Sequence, residues 1–410
     1  MPADPSLAIA PPSDPPVLPE SLREAVGRAA ASVHGDLVAL RRELHAYPEL
    51  AWGEYRSTEA VRTRLVDAGL SPRVLPRGTG LSCDIGAGAG RVALRADLDG
   101  LGVADEKDVP YASTVPGHCH ACGHDVHTAV VVGAGLVLAG LEQAGILSGP
   151  VRLLFQPAEE VTPGGALEVV AAGELQGVRR IFTVHCDPQI PVGQVGLRVG
   201  AITGSADHVR VRLVGRGGHT ARPHRTEDLV YALGKVVTEV PAVLSRRIDP
   251  RVGLTLVWGR VVAGAAANVI PRNGEVEGTV RMLDADAWEL APSAVGEAVR
   301  AVVAPYGVEV EVDYTRGVPP VVNDAEAVAC LAASATAFGG PSAVVQAQQS
   351  LGAEDFAWYL PHAPGALARL GVRRVGDTAS HDLHQGSFDV DEEAIAVGVR
   401  LLVGAALLSV

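Results

Sequence analysis

A chain of 410 residues exceeds one ordinary compact core, and the usual span of roughly 100–200 residues per domain predicts about two domains. With 48% hydrophobic and 20% charged residues it is neither disordered throughout nor collagen-like, and its five cysteines (Cys83, Cys119, Cys122, Cys186, Cys330) are too sparse and uneven for a disulfide framework. Forty-seven acidic against 34 basic residues, net charge -13, argue against the positive footprint of a nucleic-acid binder, and 4% aromatics leave few platforms for stacking bases.

Residues 1–20 read as a disordered leader: the Pro-, Ala-, Ser- and Asp-rich start lacks a basic segment followed by an apolar one, so it does not resemble a secretory signal. The spacing of Val26, Ala29, Val33, Leu37, Leu40 and Leu44 predicts a first helix over 22–44, stopped by Pro48. Strands follow at Leu81–Ile85 and Val92–Arg95, and the intervening Gly86-Ala-Gly-Ala-Gly90 resembles a glycine hairpin; no helix pattern follows it, against a dinucleotide loop. The most apolar run, Ala129 to Leu141, is too short to span a bilayer, and Arg400 interrupts the apolar tail. A soluble, reduced, cytoplasmic protein without membrane or nucleic-acid partners is expected.

From Val151 the pattern is strand (Val151 to Phe155), helix (Gly165 to Ala172) and strand (Arg180 to Val184), the rhythm of parallel α/β units. Gln156-Pro-Ala-Glu-Glu160 and His185-Cys-Asp-Pro188 would then lie just beyond two strand carboxyl ends, where open α/β sheets place ligands. Between about Asp207 and Tyr314 the order becomes strand, helix, strand, strand, helix, strand, the βαββαβ arrangement of ferredoxin-like units. The predicted fold class is thus α/β: a mixed-sheet catalytic domain over 21–203 and 317–410, with an inserted ferredoxin-like lid or dimerisation domain over 204–316.

The densest chemical signal is Gly117-His-Cys-His-Ala-Cys-Gly-His-Asp-Val-His127. Cys122 and His124 flank a glycine that lets the backbone fold around one ion, and Asp125 could hold an imidazole from behind. A catalytic metal site, a structural zinc knuckle and a surface His-rich loop all fit this stretch alone. In Glu159-Glu160 one carboxylate could ligate a metal while the other takes a proton from water; a solvated acidic loop is the plain alternative. Near the C-terminus His384, with His381 as competitor, supplies another imidazole. Cys122, His124, Glu160, His185 and His384 make five candidate ligands, more than a closed structural zinc site needs, and two ions about 3.5–4 Å apart would use them better. A thiol hydrolase with Cys122 as nucleophile and His124 or His127 as base, and a metal-stabilised, non-catalytic binding protein, are the rival readings.

Further motifs carry a resemblance. The runs Arg95-Ala-Asp-Leu-Asp99, His120-Ala-Cys-Gly-His-Asp125, Gln156-Pro-Ala-Glu-Glu160, Gly215-Arg-Gly-Gly-His219 with Pro223-His224, Asn268-Val-Ile-Pro271, Gly278-Thr-Val-Arg281, Glu354-Asp-Phe356 and Leu383-His384 are similar, in order, to the di-metal amidohydrolases. More narrowly, they resemble the branch of hippurate hydrolases, N-acetyl-diaminopimelate deacetylases and indoleacetyl-amino-acid hydrolases, over roughly 36–403. The resemblance implies cleavage of N-acyl amino acids or peptide-like conjugates by metal-bound water. It implies Cys122, His124, Glu160, His185 and His384 as ligands to two divalent ions (Zn, Mn, Co or Ni), Glu159 as general base, His219 and Asn268 as groups polarising the scissile carbonyl, often across a dimer, and Arg281 as partner of the substrate carboxylate. Older relatives have His-x-Asp where this chain has Arg95-Ala-Asp97, which makes Asp97 a supporting residue. Cys119 stands where the branch often has methionine. A homodimer or higher homo-oligomer is expected.

Overall fold

A computed structural model describes residues 17–377 and 381–409. The chain divides into two compact units, Met1–Ile202 with Val322–Gln348 and Asp355–Val410, and Thr203–Val321 with Gln349–Glu354. Nearly all of the expected leader lies outside the described residues; its last residue, Glu20, opens the first helix.

In chain order the first unit runs α1 (Glu20–Ala46), α2 (Tyr55–Asp67), β1 (Arg73–Val74), β2 (Leu81–Ile85), β3 (Arg91–Asp97), α3 (His124–Gln143), β4 (Val151–Gln156), α4 (Ala166–Ala171), β5 (Val178–Pro191), β6 (Val195–Leu197) and β7 (Gly200–Ala201). The second contributes β8 (Ala206–Val214), β9 (Gly218–His219), α5 (Leu229–Arg247), β10 (Thr255–Ala263), β11 (Val269–Ile270), β12 (Asn273–Arg281), α6 (Ala285–Val303) and β13 (Glu309–Val318). The chain returns through β14 (Val322–Asn323), α7 (Ala325–Gly339), β15 (Val344–Gln346), β16 (Gly365–Arg373) and α8 (Glu393–Leu407) to complete the first unit.

The first unit is mixed α/β, built on an eight-stranded sheet in the order β1-β2-β4-β3-β5-β16-β6-β15. Strands β4, β3, β5 and β16 are parallel, while β2 and β6 join antiparallel. The glycine run after β2 is therefore not a hairpin: β4 lies between β2 and β3 and pairs with both. Arg91 N–H instead bonds Gly177 O, seating the start of β3 beside β5. Helices α1, α3, α7 and α8 pack together. Helix α3, apolar all round, is the one helix among the described residues long and apolar enough to cross a membrane; 89% of its apolar window is buried inside the fold, as in a core helix. A side chain at Gly133 would strike Leu37 of α1 and Val399 of α8, so the glycine sets how closely these helices approach.

The second unit is a four-stranded antiparallel sheet in the order β10-β12-β8-β13, with connections β8-α5-β10-β12-α6-β13. Period-two alternation shapes it: Val209, Val211 and Leu213 are buried, while Arg210 and Arg212 pair with Glu275 and Glu311 on the other face. Asp228 and Asp284 cap α5 and α6 by accepting N–H bonds from Tyr231 and Ala287. Residues 349–354 also belong here, held by the Thr203–Ser350 bridge and a bond from Gly204 N–H to Gly352 O.

Candidate metal centre

Three chain reversals at one end of the first unit's parallel strands bring the chemistry together. Asp97 ends β3 and Asp99 follows it; past β4 comes the turn Ala158-Glu159-Glu160; and Cys122-Gly123 leads into α3, with His124 its first residue. Gly123 is left-handed (φ 86°), and a Cβ there would stand 2.7 Å from Cys186 Sγ, so glycine alone admits this turn between the thiol and the imidazole.

His185 does not end its strand, as the sequence suggests, because β5 runs on to Pro191 beside β16. Pairing of β5 with β3 stops at Thr183, and His185 follows where that edge opens. His384 sits in a left-handed conformation (φ 63°), its N–H bonded to Ala121 O at 2.8 Å.

Cys122 Sγ lies 3.6 Å from His185 Nε2, His124 Nε2 lies 3.7 Å from Glu160 Oε1, and His384 Nε2 lies 3.5 Å from that same oxygen. Ligand atoms at roughly 2.0–2.3 Å from one ion stand about 3.3–3.8 Å apart around a tetrahedron. The sets Cys122/His124/His185 and Cys122/Glu160/His384 each fall within 4.8 Å and overlap at the thiol. All five residues named as ligands from sequence are thus brought together.

The donors fit divalent cations. His185 Nδ1–H donates to Cys186 O at 2.8 Å, which leaves the Nε2 lone pair facing Cys122 Sγ at 3.6 Å; burial, with Arg369 nearby, holds its pKa well below the usual histidine value and keeps the ring neutral. His124 Nδ1 faces Asp99 Oδ1 at 3.3 Å and turns Nε2 towards Glu160. His124 Nε2 and Glu160 Oε1 are buried without a hydrogen bond, the condition a bound cation would relieve. Burial, then Glu160, pushes the Cys122 thiol well above its ordinary pKa, and burial likewise raises Glu160. An apo centre therefore disfavours its own anions, whereas a divalent ion would reverse that preference. It also disfavours Cys122 as a free nucleophile, which needs a lowered pKa.

His127, weighed as a base for that thiol, has both nitrogens occupied: Nδ1–H donates to Asp97 Oδ1 at 2.7 Å and Nε2 accepts Cys186 N–H at 2.8 Å. Asp97 is equally committed, its other oxygen taking Arg95 Nη1 at 2.8 Å, and Arg95 also reaches Gln156 and Asp355. Burial alone would raise Asp97, but His124, His127 and Arg95 hold it well below the carboxylate range. Asp125 holds an imidazole, but not that of a candidate ligand: it pairs with His45 on α1 at 2.7 Å, together with Arg41 at 2.8 Å.

Glu159 borders the cluster, with Oε2 3.9 Å from His124 Nε2. Two residues that sequence reasoning gave no role shape this turn. Asp99 accepts the N–H of both Glu159 and Glu160 at 3.0 Å, and Glu54 accepts that of Ala158 at 2.7 Å. The Asp-x-Asp spacing of Asp97 and Asp99 was the available signal for the first; no local pattern marks Glu54.

The remaining candidates lie in the second unit. His219 on β9 pairs with Val269 of β11, and Asn268 immediately precedes that strand, its O accepting Thr220 N–H at 3.3 Å. His219 Nδ1 accepts Ala221 N–H at 3.0 Å, which assigns the ring proton to Nε2 and leaves an exposed N–H donor. Arg281 ends β12, with Nη1 bonded to Leu351 O at 2.6 Å. Since Asn273 opens β12 near the β9–β11 ladder, Arg281 stands roughly 27 Å further along the strand at about 3.4 Å per residue. Within one copy these groups do not converge.

Residues 93–408 match the model of peptidase family M20/M25/M40. The chain is 50% identical over 368 residues to a Rhodococcus jostii protein named as a glutamate–cysteine ligase, covering 90% of this chain but only 46% of that protein. It is 36% identical to the N-acetyl-L-cysteine deacetylase of Bacillus subtilis, covering 89% of this chain and 86% of the relative. Among solved structures, the Bacillus subtilis YXEP protein, a dinuclear metal-binding peptidase, superposes with TM-score 0.80 at 32% identity, covering 92% of this chain and 98% of the other.

Proposed function

The chain belongs to peptidase family M20/M25/M40, a family of hydrolases, and on that premise we propose that it cleaves the amide bond of small N-acyl amino acids or peptide-like conjugates. The observation that carries this reading is the convergence of Cys122, His124, Glu160, His185 and His384, with the Nε2 lone pair of His185 turned to the Cys122 thiol. These five residues would hold two divalent ions, from among Zn, Mn, Co and Ni, for which thiolate, imidazole and carboxylate donors are all suited. When bound, such ions would lower the pKa of bound water towards 7 and polarise the substrate carbonyl. The B. subtilis deacetylase and the dinuclear peptidase support both parts. The ligase name belongs to a protein of which this chain spans 46%, and it is not transferred.

In this reading Glu159 takes the proton of the attacking water and returns it to the leaving amine. His219, with its Nε2–H exposed, and Asn268 donate to the developing oxyanion. Arg281 offers a planar fork to the substrate carboxylate. Carbonyl and carboxylate of an N-acyl amino acid are about one residue apart, near 3.8 Å. The separation of Arg281 from His219 along β12 therefore supports a site completed by a second copy.

The inserted unit we assign as a ferredoxin-like lid and dimerisation element. Its β10-β12-β8-β13 order supports the first, and the exposed apolar residues Val257, Val261 and Val262 on edge strand β10 support the second. Five unpaired cysteines support a reducing, cytoplasmic location.

The test is turnover of acetyl, benzoyl, indoleacetyl and p-aminobenzoyl amino acids by protein stripped with a chelator and reloaded with one ion at a time. Activity should vanish on stripping and return with metal, and Glu159→Ala should bind metal yet not turn over. Full activity after stripping, or in Glu159→Ala, would sink the reading.

A further inference from the structure

Glu159 and Glu160 are adjacent, yet the proposed chemistry asks them to diverge, one to a metal and one to a proton. Their backbone is set by two buried carboxylates from distant parts of the chain. Ala158 is in the left-handed region (φ 53°), where a residue with a Cβ rarely sits. A left-handed residue flanking others turns successive N–H groups to one side, forming a concavity that binds anions. Here the N–H groups of Ala158, Glu159 and Glu160 meet Glu54 Oε1 at 2.7 Å, Asp99 Oδ1 at 3.0 Å and Asp99 Oδ2 at 3.0 Å. Glu54 also accepts the N–H of Trp52, itself left-handed at φ 67°, at 3.0 Å. Glu54 is 0% and Asp99 1% exposed. Asp99 Oδ1 further stands 3.3 Å from His124 Nδ1, so one carboxylate touches the backbone of the pair and the ring that faces it.

Resting on the assignment of Glu160 as ligand and Glu159 as base, we propose that Asp99 and Glu54 are positioning residues. They clamp the strained 158–160 turn so that the two carboxylates diverge, and Asp99 in addition directs His124 Nε2 into the metal centre. Neither touches substrate. The clamp needs three acceptor oxygens, which distinguishes it from simple core filling. Asp99→Asn retains one acceptor and sets an NH₂ against a backbone N–H. Glu54→Gln keeps the one oxygen that accepts both Ala158 and Trp52, whereas Glu54→Ala loses it.

The experiment titrates cobalt(II) into apoprotein, followed by thiolate-to-cobalt absorption, and measures kcat and KM on the loaded enzyme. Asp99→Asn and Glu54→Ala should weaken cobalt binding by about 10–100-fold, the range for residues that orient ligands. Both should lower kcat while KM stays within about threefold, since ground-state contacts to substrate are untouched. Glu54→Gln should recover most of what Glu54→Ala loses, whereas Glu54→Met, which restores the buried volume but no acceptor oxygen, should not. If Asp99→Asn fails to fold, the Glu54→Ala and Glu54→Gln pair decides. Wild-type cobalt affinity and kcat in folded Asp99→Asn and Glu54→Ala would overturn the clamp. Glu160→Ala separates the two failures: if it keeps full cobalt affinity, the ligand assignment is wrong; if it loses affinity and the clamp variants do not, only the clamp is wrong.

Discussion

His127 donates Nδ1–H to Asp97 Oδ1 across 2.7 Å, and this bond fixes the imidazole as a strut. Its Nε2 accepts Cys186 N–H at 2.8 Å, so the ring ties the β3 end to the strand that carries His185. His127→Ala should therefore weaken the site without abolishing chemistry. A loss of about 10–100-fold in kcat/KM, partly restored by excess metal, is expected from a residue that supports ligands. A loss near 10⁴-fold or more, indifferent to metal concentration, would identify His127 as a base and revive the thiol mechanism. Rates measured across a metal titration separate the two.

Glu54 gives the fold a pH dependence of unusual sign for a carboxylate. Burial, with Asp99 nearby, raises its pKa from 4.5 to about 7. Between those values the folded state binds more protons than the unfolded one, so stability falls as pH rises. Full stability lies below the unfolded value, and the cost is complete above the folded one. The difference corresponds to about 3 kcal/mol. Wild-type Tm should decline from pH 5 to 7.5 more steeply than that of Glu54→Gln, which cannot ionise. Parallel Tm–pH curves for the two proteins would contradict the burial argument.

What sequence made legible divides along a physical line. Cys122, His124, Glu160, His185 and His384 were readable because ligand chemistry resides in the side-chain type, and all five converge. The βαββαβ rhythm was readable because helix and strand periods differ within each segment. Asp99 and Glu54 had no assigned role because their partners are backbone N–H groups 60 and 104 residues away, invisible to any local pattern. The glycine run between β2 and β3 suggested a hairpin because turn chemistry is local, whereas insertion of β4 between those strands is a long-range choice. His185 looked like a strand end because proline at 188 suggests a stop, but Pro188 is accommodated within β5 past its pairing with β3.

Arg41 is the test of the core behind the site. It is 1% exposed and faces Asp125 at 2.8 Å, Glu392 at 3.2 Å and Asp389 at 3.3 Å, with its guanidinium 4.6 Å from the Tyr111 ring centre. Removing one member of a buried ion pair leaves its partner charged and dry, at about 3–5 kcal/mol. Arg41→Ala should lose that much in urea unfolding of the apoprotein. Arg28→Ala, whose exposed pair with Glu24 spans 3.5 Å, should lose less than about 0.5 kcal/mol. Equal effects of the two substitutions would show that the buried network contributes nothing beyond a surface pair.

The separation of His219 from Arg281 along β12 makes a prediction that a single-copy site cannot share. If His219 of one copy serves the metal centre of another, inactive variants must complement each other. Glu159→Ala and His219→Ala should each be nearly inactive alone. Mixed in equal amounts and allowed to exchange subunits, half of the dimers become heterodimers, each with one site holding both Glu159 and His219. Activity should then rise to about a quarter of the wild-type value, as closed two-fold assembly dictates. If Arg281 acts from the same copy as Glu159, the same mixture of Glu159→Ala with Arg281→Ala should stay inactive, because each metal centre then lacks one of the two residues. Sedimentation checks that exchange occurred. A mixture that exchanges but gains no activity would place His219 and Glu159 of one copy in the same site.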